Sequence, residues 1–466
     1  MNNLKEPLEY WGEWYLPERE DEKFWGVLRL PQEGYPILKL VNLPSDFRLP
    51  PRKQDSSPKI FGTTIDGKKI SLHKCNLEES TTYNMTKKQL LTVIPSLIFI
   101  SNDQNDKPII SEQFKMESFD IEYNIFYSWL WSSLNRQDNT LRYGTRPIES
   151  NEINIGGNKY TVEFVINISE RADLKEIQTK RNACLRIKSK KGNITFEEVL
   201  QFNKYFQTFL SFSTAEKIYI KKLTGSSSAS INIPKNFRYK FRKNVIKIPS
   251  FINCIIYQGD LRDLKDELTW DQMLFNHKNL MEQHLSFKES FEKWVKLYDK
   301  LSFYQSMFDS LYGNQLDTLS YFILLIPRIE QYYINKHNKN KIEEILDKLI
   351  SENEEIIKKA CVLEDDDFSK VIAYKNTGKK NNCENENRKQ KKLSRFAEDC
   401  KNLRHFYVHT NKCYEDKIPQ DIFEQALKAE KLKLFFDMLV LRELGFKDQN
   451  FIINAVKKAR KKTLLP

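Results

Sequence analysis

The sequence predicts an α+β protein: a β-rich N-terminal domain, antiparallel and sandwich- or barrel-like, followed by an all-α helical bundle. Three observations predict it. Up to about residue 170 the apolar residues come in short runs divided by Pro, Gly, Asn and Asp, the pattern of strands and turns. From Thr195 the apolar spacing changes to the helical period, and beyond Trp270 that period continues almost to the end. The 466 residues include 30 Phe, 21 Tyr and 7 Trp, enough bulky apolar material to build real cores in about two or three domains. The expected division is a first domain over residues 1–290 and a helical domain over 300–466.

In chain order, strands are expected over residues 25–30, 36–41, 59–62, 92–100 and 159–168. The aromatics Trp11, Trp14, Trp25, Trp129 and Trp131 read as core rather than as a ligand platform. Phe196, Val199, Leu200, Phe202, Phe206, Phe209, Leu210 and Phe212 recur at helical spacing, with Glu197 and Glu198 in the first turn, where the helix dipole favours them. Residues 225–230, Gly and Ser with one Ala, read as a flexible turn, and 238–242 alternate basic with aromatic residues, which fits a surface strand better than a grip on single-stranded RNA. Phe287, Phe291, Trp294, Val295 and Tyr298 form one helical face. A further helix over 316–336 contains Pro327, which implies a kink or a late start.

Residues 376–392 are polar, Asn-rich and basic, apolar only at Cys383, and are expected to be a mobile insert; such a run is usually a solvated loop, and its place just before the motif helix also suits an electrostatic guide for RNA. Residues 420–444 carry a stripe of Ile422, Phe423, Ala426, Leu427, Leu432, Phe435, Phe436, Leu439, Val440 and Leu444. Gly445 stands where a left-handed residue ends such a helix. A second basic cluster occupies 457–462.

A net charge of +12 suits a polyanionic partner, though a solvated Lys-rich surface would give the same excess. The seven Cys, at 75, 184, 254, 361, 383, 400 and 413, include no Cys-x-x-Cys pair, so neither a structural zinc nor a redox dithiol is indicated. The first residues lack an apolar signal core and no run of 18 apolar residues occurs, so a cytoplasmic protein with reduced thiols and no membrane partner is expected. With no Walker-type loop and no dinucleotide Gly fingerprint, no nucleotide cofactor is expected either.

The stretch that carries chemistry is 402–410, where Asn402, Arg404, His405 and His409 lie close together. An Arg supplies a permanent cation for a phosphate, and a His moves a proton near neutral pH. On an ideal helix, positions five apart differ by roughly 140° in direction and about 7.5 Å in height, so Arg404 and His409 would flank a groove instead of sharing a face. His405 and His409, four apart, do share a face and are rival metal ligands, with Glu330 or Glu398 to complete a shell. No HExxH accompanies them.

Arg404-His405 and His409, the polar turn after them, the long apolar helix and its end from Leu441 to Phe446 together resemble the C-terminal end of a HEPN domain (higher eukaryotes and prokaryotes nucleotide-binding). The opening, Tyr10 to Pro17 with Trp11, Trp14 and Leu16, followed by Phe24 to Leu28, is similar to the start of the ApeA-type N-terminal domain. That domain occurs joined to a HEPN domain in bacterial anti-phage abortive-infection proteins.

The resemblance implies a metal-independent endoribonuclease with Arg404 on the phosphate, His409 as the proton-transfer group, His405 in support, and Glu330 orienting the Arg or a His. It implies a homodimer or a higher even-numbered oligomer, because two copies of the motif would face one groove. Its substrate would be RNA, tRNA among the classes. Its trigger would be a phage protein sensed by the N-terminal domain, and its products would be 2′,3′-cyclic phosphate and 5′-hydroxyl ends. Two other readings stand beside it: a non-catalytic HEPN protein that only binds nucleic acid or a partner, and a metal-dependent nuclease using His405 and His409. A piece starting near residue 300 is expected to dimerise by itself and to cut RNA with less restraint than the whole chain.

Overall fold

The structure, a computed structural model, describes residues 8–31, 35–44, 58–83, 88–101, 109, 114–131, 144–173, 176–190, 192–232, 245–256, 265, 267–303, 305–312, 318–337, 341–360, 362–374, 390–407, 412–419 and 421–463. The chain forms two compact units. The first comprises residues 1–127, 137–202 and 219–266, and the second 128–136, 203–218 and 267–466. The second unit therefore begins well before residue 290 and draws on two earlier pieces of chain, which the sequence-based division into 1–290 and 300–466 does not anticipate.

In the first unit, β1 (Leu8–Leu16), β2 (Arg19–Leu30), β3 (Ile37–Pro44), β4 (Ile60–Thr64), β5 (Lys69–Tyr83) and β6 (Lys88–Ser101) pair antiparallel in the ring order β3-β2-β1-β4-β5-β6, and β6 returns to β3. That closure makes a barrel. Alternation fills it: along β3, Leu38 and Leu40 are buried and Lys39 between them is not. Trp14, Leu16, Leu28, Ile60, Ile70, Leu72, Val93 and Ile98 join them in one core. Trp14 lies flat over Gly62, where any Cβ would come within 2.4 Å of its ring. Trp14 and Trp129 are fully buried, but Trp11 and Trp25, also expected in the core, are 43% and 44% exposed. The pleat is the reason, because it turns both toward the outside of the barrel, opposite Val27 and Glu13.

Pro95 divides β6. Residues before it pair with β3, and Leu97 to Ser101 pair with β14 (Val245–Ile256), so the proline stands where the strand changes partner. From there the sheet runs on, through β13 (Ile220–Asn232), β8 (Ser118–Tyr123), β11 (Glu176–Ser189) and β10 (Asn158–Asp173), to β9 (Gly144–Ile155). Short β7 (Lys115–Met116) and β12 (Ile194–Thr195) pair separately, ahead of α2 (Phe196–Thr214), and α1 (Phe126–Trp131) follows β8. The expected flexible turn at 225–230 is instead the middle of β13, paired with β14 throughout and with β8 at Gly225 and Ser226. Gly225 is needed there for space and not for flexibility, since a Cβ would meet the Phe119 ring at 2.9 Å. Residues 238–242 lie outside the described residues.

The second unit is helical. Its helices are α3 (His277–Glu282), α4 (Phe287–Lys300), α5 (Gln305–Tyr312), α6 (Thr318–His337), α7 (Ile342–Glu352), α8 (Glu354–Lys359), α9 (Asp365–Phe368), α10 (Arg395–Tyr407), α11 (Ile422–Leu444) and α12 (Gln449–Thr463). One antiparallel ribbon, β15 (Lys370–Tyr374) and β16 (Gln390–Ser394), interrupts them. Three residues of the expected insert, Gln390 to Lys392, thus belong to a strand, and 376–389 lie outside the described residues. Pro327 sits inside α6.

Within this unit the second half of α2 brings Phe206, Phe209 and Phe212 against Phe287, Phe291 and Trp294 of α4, with most rings edge to face. Trp294 is fully buried and its Nε1 donates to the Tyr205 carbonyl at 3.1 Å and to Thr208 Oγ1 at 3.2 Å. Trp294→Ala is expected to cost about 3–5 kcal/mol, as a large cavity opens among rings that cannot collapse into it. Urea denaturation of the whole chain reads this, and a change under 1 kcal/mol would show that the cluster does not support the fold.

α11 begins at Asp421, which accepts from Phe423 N, and ends at Gly445 with φ 108°. The stripe expected along it holds from Leu432 onward. Ile422 and Phe423, however, are 73% and 84% exposed, because burial on this helix starts only at Gln425.

Candidate functional site

α10 is amphipathic. Phe396, Ala397, Cys400 and Leu403 are buried, Glu398 lies in the first turn, and Arg404 and His405 lie in the last, where cations suit the carbonyl end of the dipole. The described helix ends at Tyr407, and His409 lies outside the described residues.

Arg404 is engaged by Glu330 of α6. Nη1 donates to Oε1 at 2.8 Å and Nη2 lies 2.6 Å from Oε2, a two-point pair with both side chains under one-fifth exposed. The structure therefore brings together two of the four sequence-predicted site residues, 74 positions apart. Nε of Arg404 is buried without a hydrogen-bond partner among the described residues. Of the five N–H donors of the guanidinium, Glu330 takes the two at its far end, which leaves Nε–H and the two side Nη hydrogens without a partner among the described residues.

His405 is held differently. Its ring stacks on Tyr414 with centroids 4.7 Å apart and planes at 15°, and Lys417 Nζ lies 5.0 Å from the same Tyr414 ring. Tyr414 and Lys417 belong to the 3-10 turn Lys412–Lys417, which runs back along α10. Asn402 Nδ2 donates to the Lys417 carbonyl at 3.4 Å, Tyr407 Oη donates to Gln425 Oε1 at 2.5 Å, and Gln425 Nε2 donates to the Pro419 carbonyl at 2.6 Å. Burial pushes the Tyr407 phenol up, with the Gln425 bond working against it. These contacts tie the end of α10 to the 3-10 turn and to the start of α11.

Below the site runs a buried charge cluster. Lys428 of α11 reaches Asp367 and Asp399, each at 2.8 Å, and Lys431 reaches Asp367 at 2.6 Å. Burial raises the Asp367 pKa, but the bonds from Lys428 and Lys431 outweigh it and hold the carboxyl below its ordinary value. For Lys428 burial works downward, and the bonds to Asp367 and Asp399 win upward. The sign follows for both groups: the cluster stabilises the fold above the ordinary Asp value of 3.8 and below the ordinary Lys value of 10.5, and it fails beyond those limits.

Sequence reasoning missed Tyr414, Gln425, Asp367 and Asp399. No spacing signal pairs a helix with a turn seven or more residues away, and Lys428 and Lys431 read on sequence as ordinary surface lysines. Glu398, offered as a metal ligand, instead accepts from Lys401 at 2.6 Å. Among the described residues no group of three or more His, Cys, Asp or Glu is arranged to hold a metal ion. Nor is any described helix long and apolar enough to cross a membrane.

No curated protein and no solved structure matches the chain. Residues 9–270 match the family model described as ApeA N-terminal domain 1. The match takes in the whole barrel and the sheet that extends it, and it covers more than half of the sequence. With helices α3 to α12 following the matched region, the chain belongs to the ApeA N-terminal domain 1 family.

Proposed function

We propose that the chain is a metal-independent endoribonuclease of the HEPN type, acting in abortive-infection defence. The observation that carries the reading is the two-point ion pair between Arg404 and Glu330. A guanidinium held in one plane, at the end of a helix and within a few residues of two imidazoles, is pre-oriented to receive a phosphate. Family membership supports the setting.

In this mechanism the ribose 2′-hydroxyl loses its proton to His409 and attacks the adjacent phosphorus. Arg404 holds the non-bridging oxygens while negative charge builds on them. The bond to the 5′-oxygen breaks, and the protonated imidazole returns its proton to that oxygen, giving a 2′,3′-cyclic phosphate and a 5′-hydroxyl. DNA lacks the attacking group and is not cut. Glu330 positions Arg404, and His405, braced on Tyr414, supports the site. RNA is the partner in this reading, two copies of the chain complete the groove, and a phage component sensed by the N-terminal domain releases the activity by favouring one arrangement by a few kcal/mol.

The test is RNA-end sequencing after induced expression, beside Arg404→Ala and His409→Ala controls. Cleavage by the purified chain is expected to persist in excess chelator, and a 2′-deoxy substitution at the cut site is expected to block it. Activity lost in chelator and restored by zinc or manganese would instead assign His405 and His409 as metal ligands. RNA binding with no cleavage under any condition would leave the non-catalytic reading.

A further inference from the structure

The sheet of the first unit has an apolar face and a polar one. Phe119, Ile121, Leu185, Ile187 and Leu223 are buried on one side, and the alternate residues Asp120, Glu122, Arg186, Lys222 and Thr224 point to the other. On the polar side lies a cavity of about 410 Å³, lined by Asp120, Glu122, Asn167, Cys184, Lys222, Thr224, Phe251 and Asn253. That volume falls within the usual range for small-molecule sites. None of these residues belongs to the Arg404 site.

The charges in the cavity cancel internally. Arg186 grips Asp120 with two bonds, Nε to Oδ1 at 2.7 Å and Nη2 to Oδ2 at 2.8 Å, and Lys222 Nζ lies 3.9 Å from Glu122. Among the described residues no surplus cation remains for a phosphate and no surplus carboxylate for a cation. What the lining offers is neutral hydrogen bonding: the amides of Asn167 and Asn253, the Thr224 hydroxyl, which donates to Asn253 Oδ1 at 3.3 Å, and the second lone pairs of the two carboxylates. At one end Phe251, opposite Ser226 across the strand pair, leaves 48% of its surface exposed. A half-exposed aromatic ring beside a polar cavity is a stacking surface.

We infer that this cavity binds a neutral nucleoside, its base stacked on Phe251 and its polar edge and ribose hydroxyls bonded to Asn167, Asn253, Thr224 and the paired carboxylates. A flat ring with donors and acceptors around its edge satisfies both halves of the site, and the paired charges of the described lining offer a net charge on the ligand no counterpart. This inference does not depend on the ribonuclease reading.

The experiment titrates the full-length chain with adenosine, guanosine, cytidine and uridine, each by calorimetry, with methyl α-glucoside as a hydroxyl-rich ring without a base. At least one nucleoside is expected to bind, about tenfold or more weakly after Phe251→Ala, and close to parental affinity after Phe251→Trp. Circular dichroism of the variants checks folding, which a half-exposed position should leave intact. Binding of no nucleoside, binding unchanged in Phe251→Ala, or binding of the glucoside alone would each overturn the assignment. The dependence on Phe251 separates this cavity from any nucleoside that occupies the Arg404 site.

Discussion

Arg404→Ala is expected to lower RNA cleavage by about 10²–10³-fold or more and to destabilise the chain by about 2–3 kcal/mol. The two losses have different origins. In the proposed mechanism cleavage falls because the cation that meets the developing charge on phosphorus is gone. Stability falls because the Glu330 carboxylate, only 16% exposed, is left without the guanidinium that satisfied both of its oxygens. Both partners keep some contact with water, so the cost lies below that of a fully buried pair.

Removing both partners separates the effects. Arg404→Ala with Glu330→Ala leaves no stranded charge and is expected to regain most of the stability while staying inactive. Glu330→Gln keeps the cation but loosens its plane, so cleavage should drop partly and the apparent affinity for RNA less. His409→Ala should match Arg404→Ala in activity. His405→Ala should be milder, since it removes a ring braced on Tyr414. Denaturant melts and a fluorescent RNA substrate measure the two quantities on the same preparations. A folded Arg404→Ala protein that cuts at the parental rate would remove Arg404 from the site.

What the sequence made legible follows from the range of each interaction. The strand runs at residues 25–30, 36–41 and 92–100 all lie within β2, β3 and β6, or overlap them closely, because period-two burial is a local pattern. The helix ending at Gly445 was equally readable, since a left-handed cap is a single-residue signal. Three features were not. The Ser-rich stretch from Gly225 has turn composition, yet β14 pairs along all of it and β8 pairs Gly225 and Ser226, and partners in other strands leave no mark on the stretch itself. Trp11 and Trp25 are as apolar as Trp14, and only the barrel's closure decides which face is inside. Glu330 could be nominated from resemblance alone, because its contact with Arg404 spans two helices. The role of His409 rests on the resemblance, as its position lies outside the described residues.

A fragment of residues 300–466 is expected to be insoluble or unfolded, in contrast to the autonomous dimer that the sequence suggests. The helical unit is discontinuous, and it includes 128–136, 203–218 and 267–299 as well. Cutting at 300 removes Phe206, Phe209, Phe212, Phe287, Phe291 and Trp294, all nearly or fully buried. It also removes Phe275, whose ring lies 5.1 Å from Phe446, and Lys293, whose ammonium donates to the Leu444 carbonyl at the end of α11. One such aromatic truncation costs about 3–5 kcal/mol, and a whole domain is stable by only about 5–15 kcal/mol. Losing six or more together exceeds that margin, whatever the remaining helices contribute. Residues 267–466 regain α3 and α4 but still lack the α2 rings, so this piece should fold at best with a depressed melting temperature. Circular dichroism and proton spectra of the two fragments beside the full chain decide the matter. A cooperatively folded 300–466 piece would show the aromatic cluster to be dispensable, and an isolated effector could then be assayed directly. If the fragment fails as expected, restraint by the N-terminal domain has to be tested in the full chain, by substitutions in the barrel that leave the discontinuous helical unit whole.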